Sequence, residues 1–280
     1  MAHKLIDKLF TIVVTCIAIL GVLPLFHILA CIAVKGVSVI SRVGLLKFLT
    51  APPPPPGTSQ LGGIGPALAG TLLLTILATL LGVPVSIGVS LLVVEFPYTF
   101  ISRAVRSLSK TFMELPTVLL SMLVYTLVVV PMGTPSAIAG AIALALVMIP
   151  YTTTYLETYM ESVPSMYREA AYSIGMRRAD VAYKIIMGIA RKGILLGIVM
   201  GVARALGETA PLLFTAGGSH YAYPMALSMP VDSITLLIFD FAMTPYRNLI
   251  EVAWGASLIL VILYLAIFLS VKVLVKEVRY

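Results

Sequence analysis

The feature that most constrains this chain is a series of apolar runs, each close to the length that crosses a bilayer. A spanning helix needs about 20 mostly apolar residues. Six segments approach that, at 11–34, 66–94, 114–131, 136–156, 193–217 and 250–272. Hydrophobic residues make up 60% of the 280 and charged residues only 11%, against about 25% charged in an ordinary soluble domain. Too few charges remain to cover the runs with a polar surface. Lipid offers the backbone no hydrogen bonds, so such runs must be helical. The expectation is an all-α integral membrane protein of six transmembrane helices. The third and fourth spans are short and joined by the tight turn "PMGTP". The run 11–34 exceeds the roughly 7–15 apolar residues of a cleavable signal, so it reads as a first span.

The net charge of +7 reflects topology rather than a nucleic-acid partner. Most Lys and Arg fall in the N-terminal tail, the 95–113 loop, the 157–192 loop and the C-terminal tail. The positive-inside rule places these four on the cytoplasmic side. The protein is thus expected to be multi-pass, with both termini cytoplasmic. The first outer loop carries "APPPPPG", which predicts a stiff extended spacer of about 15 Å. Cys16 and Cys31 lie about 22 Å apart along one helix, too far for a disulfide.

The fifth span is interrupted. Gly193, Gly197, Gly201, Arg204 and Glu208 share one helical face within roughly 80°. The glycines form overlapping small-xxx-small steps that let another helix approach. Arg204 falls near the middle of the span, where a lone arginine costs about 2.5–3.5 kcal/mol on insertion scales. Glu208, one turn on, can neutralise it. Pro211 lacks a backbone donor and crowds the carbonyl of Gly207, so the helix should break around 207–211. Such backbone is tolerated only inside protein or beside water. A planar guanidinium suits a tetrahedral oxyanion. The pair is therefore either a buried link between helices or a way-station for an anion, with Glu208 yielding Arg204 when the anion arrives. In the second span, Thr71, Thr75, Thr79, Gly82, Ser86 and Ser90 share a face. That strip fits a polar path or close helix packing equally.

The longest basic loop contains "VPSMYREAAYSIGMRRADVAYKII". Pro164 suits a first helical turn and Gly175 the residue past a helix end. Between them Val163, Met166, Tyr167, Ala170, Ala171 and Ile174 recur at helical spacing. The result is a short amphipathic helix, suited to lipid headgroups or to a groove in a cytosolic partner.

The residues "REAAYSIGMRRADVAYKI" resemble the EAA loop of ABC-importer permeases: Glu-Ala-Ala, three residues, Gly, nine residues, then Ile-x-Leu-Pro. Glu169, Ala170, Ala171, Gly175 and Ile185 occupy the matching positions, with Met187-Gly188 in place of Leu-Pro. Within those importers, "RALGETAPLLFTAGG" at 204–218, "YREAAYSIG" and "ELPTVLLS" resemble the A-type permease subunit of the phosphate importers. The resemblance covers about residues 66–270.

The resemblance implies a type I importer permease (MetI-like) fold. Residues 1–65 would be an N-terminal transmembrane helix and outer loop, and 66–280 a five-helix core with its coupling loop at 157–192. It implies a permease for inorganic phosphate working by alternating access in the plasma (inner) membrane. Its partners would be a second permease subunit, a dimer of ATPase subunits and an extracytoplasmic phosphate-binding protein, within membrane lipid. Arg168, Glu169, Ala170, Ala171 and Gly175 would couple to the ATPase, while Arg204, Glu208 and Thr209 would meet the substrate. With no GxxxxGK[ST] loop in the sequence, ATP and magnesium would bind the partner, and this chain would hold no cofactor. Neighbouring readings are a permease for molybdate, tungstate or sulfate and, in another class, an anion channel or secondary transporter. No HExxH, GxSxG or Cys–His pairing occurs, so neither catalytic residues nor metal ligands are expected.

Overall fold

The computed structural model describes residues 2–276, with side chains placed for 6–270. The helices are α1 (Ala2–Val43), α2 (Leu45–Thr50), α3 (Gly65–Glu95), α4 (Phe100–Glu114), α5 (Thr117–Met132), α6 (Ala137–Glu161), α7 (Ser165–Ser173), α8 (Arg178–Leu206), α9 (Ala210–Thr215), α10 (Ile234–Ala242) and α11 (Arg247–Lys276). Among the described residues the only β-type pairing is an isolated bridge between Gly217 and Val231. Helices α1, α3, α6, α8 and α11 are each long and apolar enough to span a bilayer, and the bent pair α4–α5 makes a sixth if its two arms count as one span.

The α4–α5 pair turns through 106°. The cause is local: Leu115 precedes Pro116 and is held extended, at φ −69° and ψ 137°, because the proline ring disfavours helical backbone before it. Helix α4 is capped by Thr99, whose hydroxyl accepts from Ser102 N–H at 3.2 Å. Arg106 fixes it across the end of α6 by pairing with Glu157 and, at 2.8 Å, with Glu161.

Helix α6 is the central post. Of its most apolar stretch 67% is buried, against 0% in α1. Its most extensive partner is α3, followed by α8. The hydroxyl strip of α3 lies at contacts with α6 and α10. Thr71 receives the N–H of Ile234 at 2.8 Å, and Ser86 bonds both Gly82 and Ile149 carbonyls. Thr71, Thr75, Ser86 and Ser90 are all buried. The strip therefore serves packing, one of the two readings left open.

Helix α1 joins the bundle only through its C-terminal part. Gly36 lies so close to α11 that a Cβ there would come within 2.6 Å of Leu258 Cβ. Arg42 pairs with Glu251 at 2.7 Å, and Lys35 stacks on Trp254. The polyproline segment is docked rather than projecting. Asn248 donates to the Pro55 carbonyl at 2.9 Å and accepts from Gly57 N–H, and Gly63 N–H bonds Pro52 O. A spacer was expected here, whereas the segment is held down through Asn248, nearly 200 residues away in sequence.

The fifth span differs most from expectation. It begins at Arg178 rather than near 193 and ends at Leu206 rather than 217. Met187-Gly188 contains no proline to interrupt the backbone, so the second short helix of the loop runs straight into the span. The far end stops where Pro211 would collide with the carbonyl of Gly207. Residues 207–209 are non-helical and α9 restarts with Pro211 in its first turn.

Candidate functional site

The interrupted span is positioned by its glycines. Gly193, Gly197 and Gly201 face α6, against Tyr159, Leu156 and Thr152 respectively. A Cβ at Gly197 would come within 2.9 Å of Leu156 Cδ1. This is the close approach the sequence foresaw, and it fixes the rotation of α8, so that Arg204 emerges beside α6.

Arg204 Nη2 lies 2.8 Å from Glu208 Oε1, and its guanidinium sits 4.9 Å from the centre of the Tyr151 ring. The two members are unequally enclosed. Arg204 exposes 43% of its side chain and Glu208 only 9%. Glu208 is held from several sides: the Thr117 hydroxyl bonds its carboxylate, and its backbone carbonyl accepts from Thr235 Oγ1 at 3.0 Å. A charge needs such partners to be buried. The pair opens onto a cavity of about 430 Å³ lined by Tyr151, Tyr155, Gly207 and Tyr264 among others. Tyr264 of α11 packs its hydroxyl against Gly207, leaving no room for a Cβ there. Thr209 stands outside the lining. Its carbonyl receives the N–H groups of Leu212 and Leu213 at the start of α9.

Helix α7 at the other end of α8 has the form expected. Pro164 precedes its first turn, and Gly175 takes the left-handed conformation at φ +81°. Gly175 N–H bonds Tyr172 O and Met176 N–H bonds Ala171 O, the paired arrangement of a Schellman C-cap. Its apolar face divides in two. Val163 and Ala171 are buried in the chain, while Met166 (65% exposed) and Ile174 (77%) face outward beside exposed Glu169 and Ala170. Arg168 points back into the protein. Its Nε lies 3.6 Å from Glu95 Oε1, and its Nη1 and Nη2 donate to the carbonyls of Val163 and Met160.

A third polar cluster joins the 216–233 segment to α10. His220 Nδ1 lies 2.9 Å from Asp232 and Nε2 3.1 Å from Asp240. Burial alone would lower the imidazole pKa, but the hydrogen bond and charge of Asp232, with those of Asp240, outweigh it and raise it. Burial pushes the Asp232 carboxyl up, against the opposing influence of His220.

A helical membrane bundle with a half-exposed amphipathic helix between two spans and a charged break in one span is an arrangement that suits a transporter's membrane subunit. The comparisons agree. The family of binding-protein-dependent transport system inner membrane components matches residues 82–280, and the chain belongs to it. It is a transport component of a type I importer, not an enzyme. A relative from Methanocaldococcus jannaschii, described as a probable phosphate transport system permease protein PstA, is 45% identical over 98% of this chain and 97% of its own. The phosphate transport system permease protein PstA of Yersinia pestis is 30% identical over 93% and 86%. Among solved structures, an inward-facing MetNI methionine ABC transporter shares the fold at a TM-score of 0.64 and 18% identity, over 78% of this chain and 96% of that one.

Glu95, Thr117, Tyr151 and Tyr264 were absent from the sequence reading. Thr117 lies within the "ELPTVLLS" stretch, the one signal that touched any of them.

Proposed function

We propose that this chain is one of two transmembrane subunits of an ATP-driven importer for inorganic phosphate. The observation that carries the reading is the Arg204–Glu208 pair, set at the break in α8 and opening half-covered onto a tyrosine-lined cavity. A guanidinium presents five N–H donors, and Glu208 occupies only part of that set. The outward edge of Arg204 can therefore bind an oxyanion while Glu208 stays in place. The 45% identical relative, named for phosphate transport, favours phosphate over molybdate, tungstate or sulfate. A second permease subunit would close the cavity, and an extracytoplasmic binding protein would deliver the anion. The exposed face of α7, with Met166, Glu169, Ala170 and Ile174, would seat in one of two ATPase subunits, which bind ATP and magnesium. The Lys and Arg distribution supports a cytoplasmic position for α7 and both termini.

The test is ATP-driven phosphate uptake by the assembled transporter in proteoliposomes. Arg204→Ala should reduce uptake by at least about tenfold, a loss of roughly 1.4 kcal/mol of anion stabilisation. Arg204→Lys should recover part of it, because a point charge replaces a planar fork. Uptake near wild type in Arg204→Ala removes the arginine from the pathway.

A further inference from the structure

Glu95 ends α3 and is 5% exposed. Two arginines grip it, one on each side of the Gly175 turn. Arg168 of α7 approaches its carboxylate at 3.6 Å. Arg178, which opens α8, donates to the Glu95 backbone carbonyl and lays its guanidinium 4.3 Å from the centre of the Phe96 ring. At 3.6 Å the Arg168 contact is an ion pair and not a hydrogen bond, and Glu95 Oε1 is buried without a hydrogen-bond partner among the described residues. Burying a charge on such terms costs more than it returns, so a pair of this kind is weak as a stability device.

Its placement gives it another use. Arg168 also donates to the carbonyls of Met160 and Val163, at the C-terminal end of α6, where the helix dipole favours a cation. One side chain thus ties α7 to both α3 and α6. Around it Leu91, Met160, Ala171, Val181 and Ile186 form a single apolar cluster. The buried side of α7 is thus packed against α3, α6 and the start of α8. From Met160, α6 runs without a break to Tyr151, nine residues or about 14 Å away along the axis, and Tyr151 stacks on Arg204.

We infer that Glu95, Arg168 and Arg178 form a strut that carries the movement of the coupling helix into α3 and α6, and through α6 to the wall of the Arg204 cavity. Arg168 is a positioning residue inside the chain rather than a contact for the ATPase. The inference rests on the importer reading above and adds to it the internal link between its two ends.

The experiment measures phosphate moved per ATP hydrolysed by the assembled transporter in proteoliposomes, for wild type, Glu95→Gln, Arg168→Gln and the double variant. Each single variant should lower the ratio about tenfold, within the range of ordinary coupling energies. The double variant should be no worse than either, because both break one link. A ratio within about twofold of wild type in Glu95→Gln, or multiplying losses in the double, overturns the strut. Arg178→Ala removes the second grip. Should Glu95→Gln not assemble with the ATPase, an unchanged ratio in Arg178→Ala overturns the strut equally. Wild type separates the two claims: no ATP-driven uptake by wild type removes the importer reading and the strut together, whereas normal wild-type uptake with an unaltered ratio in Glu95→Gln removes the strut alone.

Discussion

Gly201 offers the sharpest check on how α8 is seated. A Cβ built there meets Thr152 Oγ1 head-on, Thr152 Cβ at 3.2 Å and the flexible end of Met148 at 3.3 Å. Gly201→Ala therefore carries two opposing effects. Alanine gains about 1 kcal/mol of helix propensity over glycine, while overpacking a close contact costs about 1–3 kcal/mol. The net expectation is a loss of up to about 2 kcal/mol. Thr152 itself points to the remedy, since its buried hydroxyl has no hydrogen-bond partner among the described residues. Thr152→Ala deletes the obstructing atom and an unpaired polar group, whose burial costs about 1–3 kcal/mol. The double variant should then return to within about 1 kcal/mol of wild type, the remaining Cβ contact requiring only a small shift. Reversible unfolding in mixed micelles, followed by loss of helical circular dichroism, measures all three. A double variant as unstable as Gly201→Ala would refute this account of the α6–α8 seam.

Three further outcomes are expected. Gly175→Val finds open space around its Cβ but must hold a β-branched residue at φ +81°, a strain of about 1–3 kcal/mol; it should uncouple ATP hydrolysis from uptake, and unchanged ATP-driven uptake would count against the α7 assignment. Because the folded-state pKa of His220 is raised above its ordinary value of about 6.5, its contribution is fully present below that value and is lost as pH rises through the folded one. Protection of the 216–233 amides from hydrogen exchange, corrected for intrinsic rates, should fall over that interval, and His220→Gln should remove the pH dependence. Glu208→Gln keeps an acceptor for Arg204 but leaves the cation's charge uncompensated, so apparent KM and kcat for phosphate should both fall as the anion is held longer; unchanged values would exclude a part for the carboxylate in release.

Much of this was legible in the sequence because the signals were local. The spans follow from run length, the break at 207–209 from Pro211, the end of α7 from Gly175, and the glycine face of α8 from a spacing that needs no knowledge of its partner. The missed features are all long-range. Glu95 looks like the polar end of an apolar span until Arg168 and Arg178 arrive from about 75 residues or more downstream. Tyr264 reads as one more aromatic in the last span, although it packs on Gly207. The division of α7's apolar face is invisible to periodicity, which locates a stripe but not the portion that neighbouring helices cover. The identity of Met187-Gly188 was visible, yet its consequence, a continuous helix from loop to span, emerged only once the backbone was seen to pass through it.

That continuity bears on how the two ends of α8 communicate. The same helix begins at Arg178, in contact with Glu95, and ends at Leu206, two residues past Arg204. Its glycine face prevents independent sliding because α6 lies against it at Gly193, Gly197 and Gly201. Helices α6 and α8 therefore form a rigid pair: Arg168 holds one end of the pair, and Tyr151 and Arg204 lie toward the other. Glu208 lies within the break, its carboxylate bonded to Thr117 of α5 and its backbone carbonyl to Thr235 of α10. Under the strut inferred above, a push on the pair would move the arginine relative to its carboxylate, with the break at Gly207 taking up the movement between them. An unbroken helix would hold Arg204 and Glu208 at a fixed i,i+4 spacing and could not vary the positive charge offered to an anion.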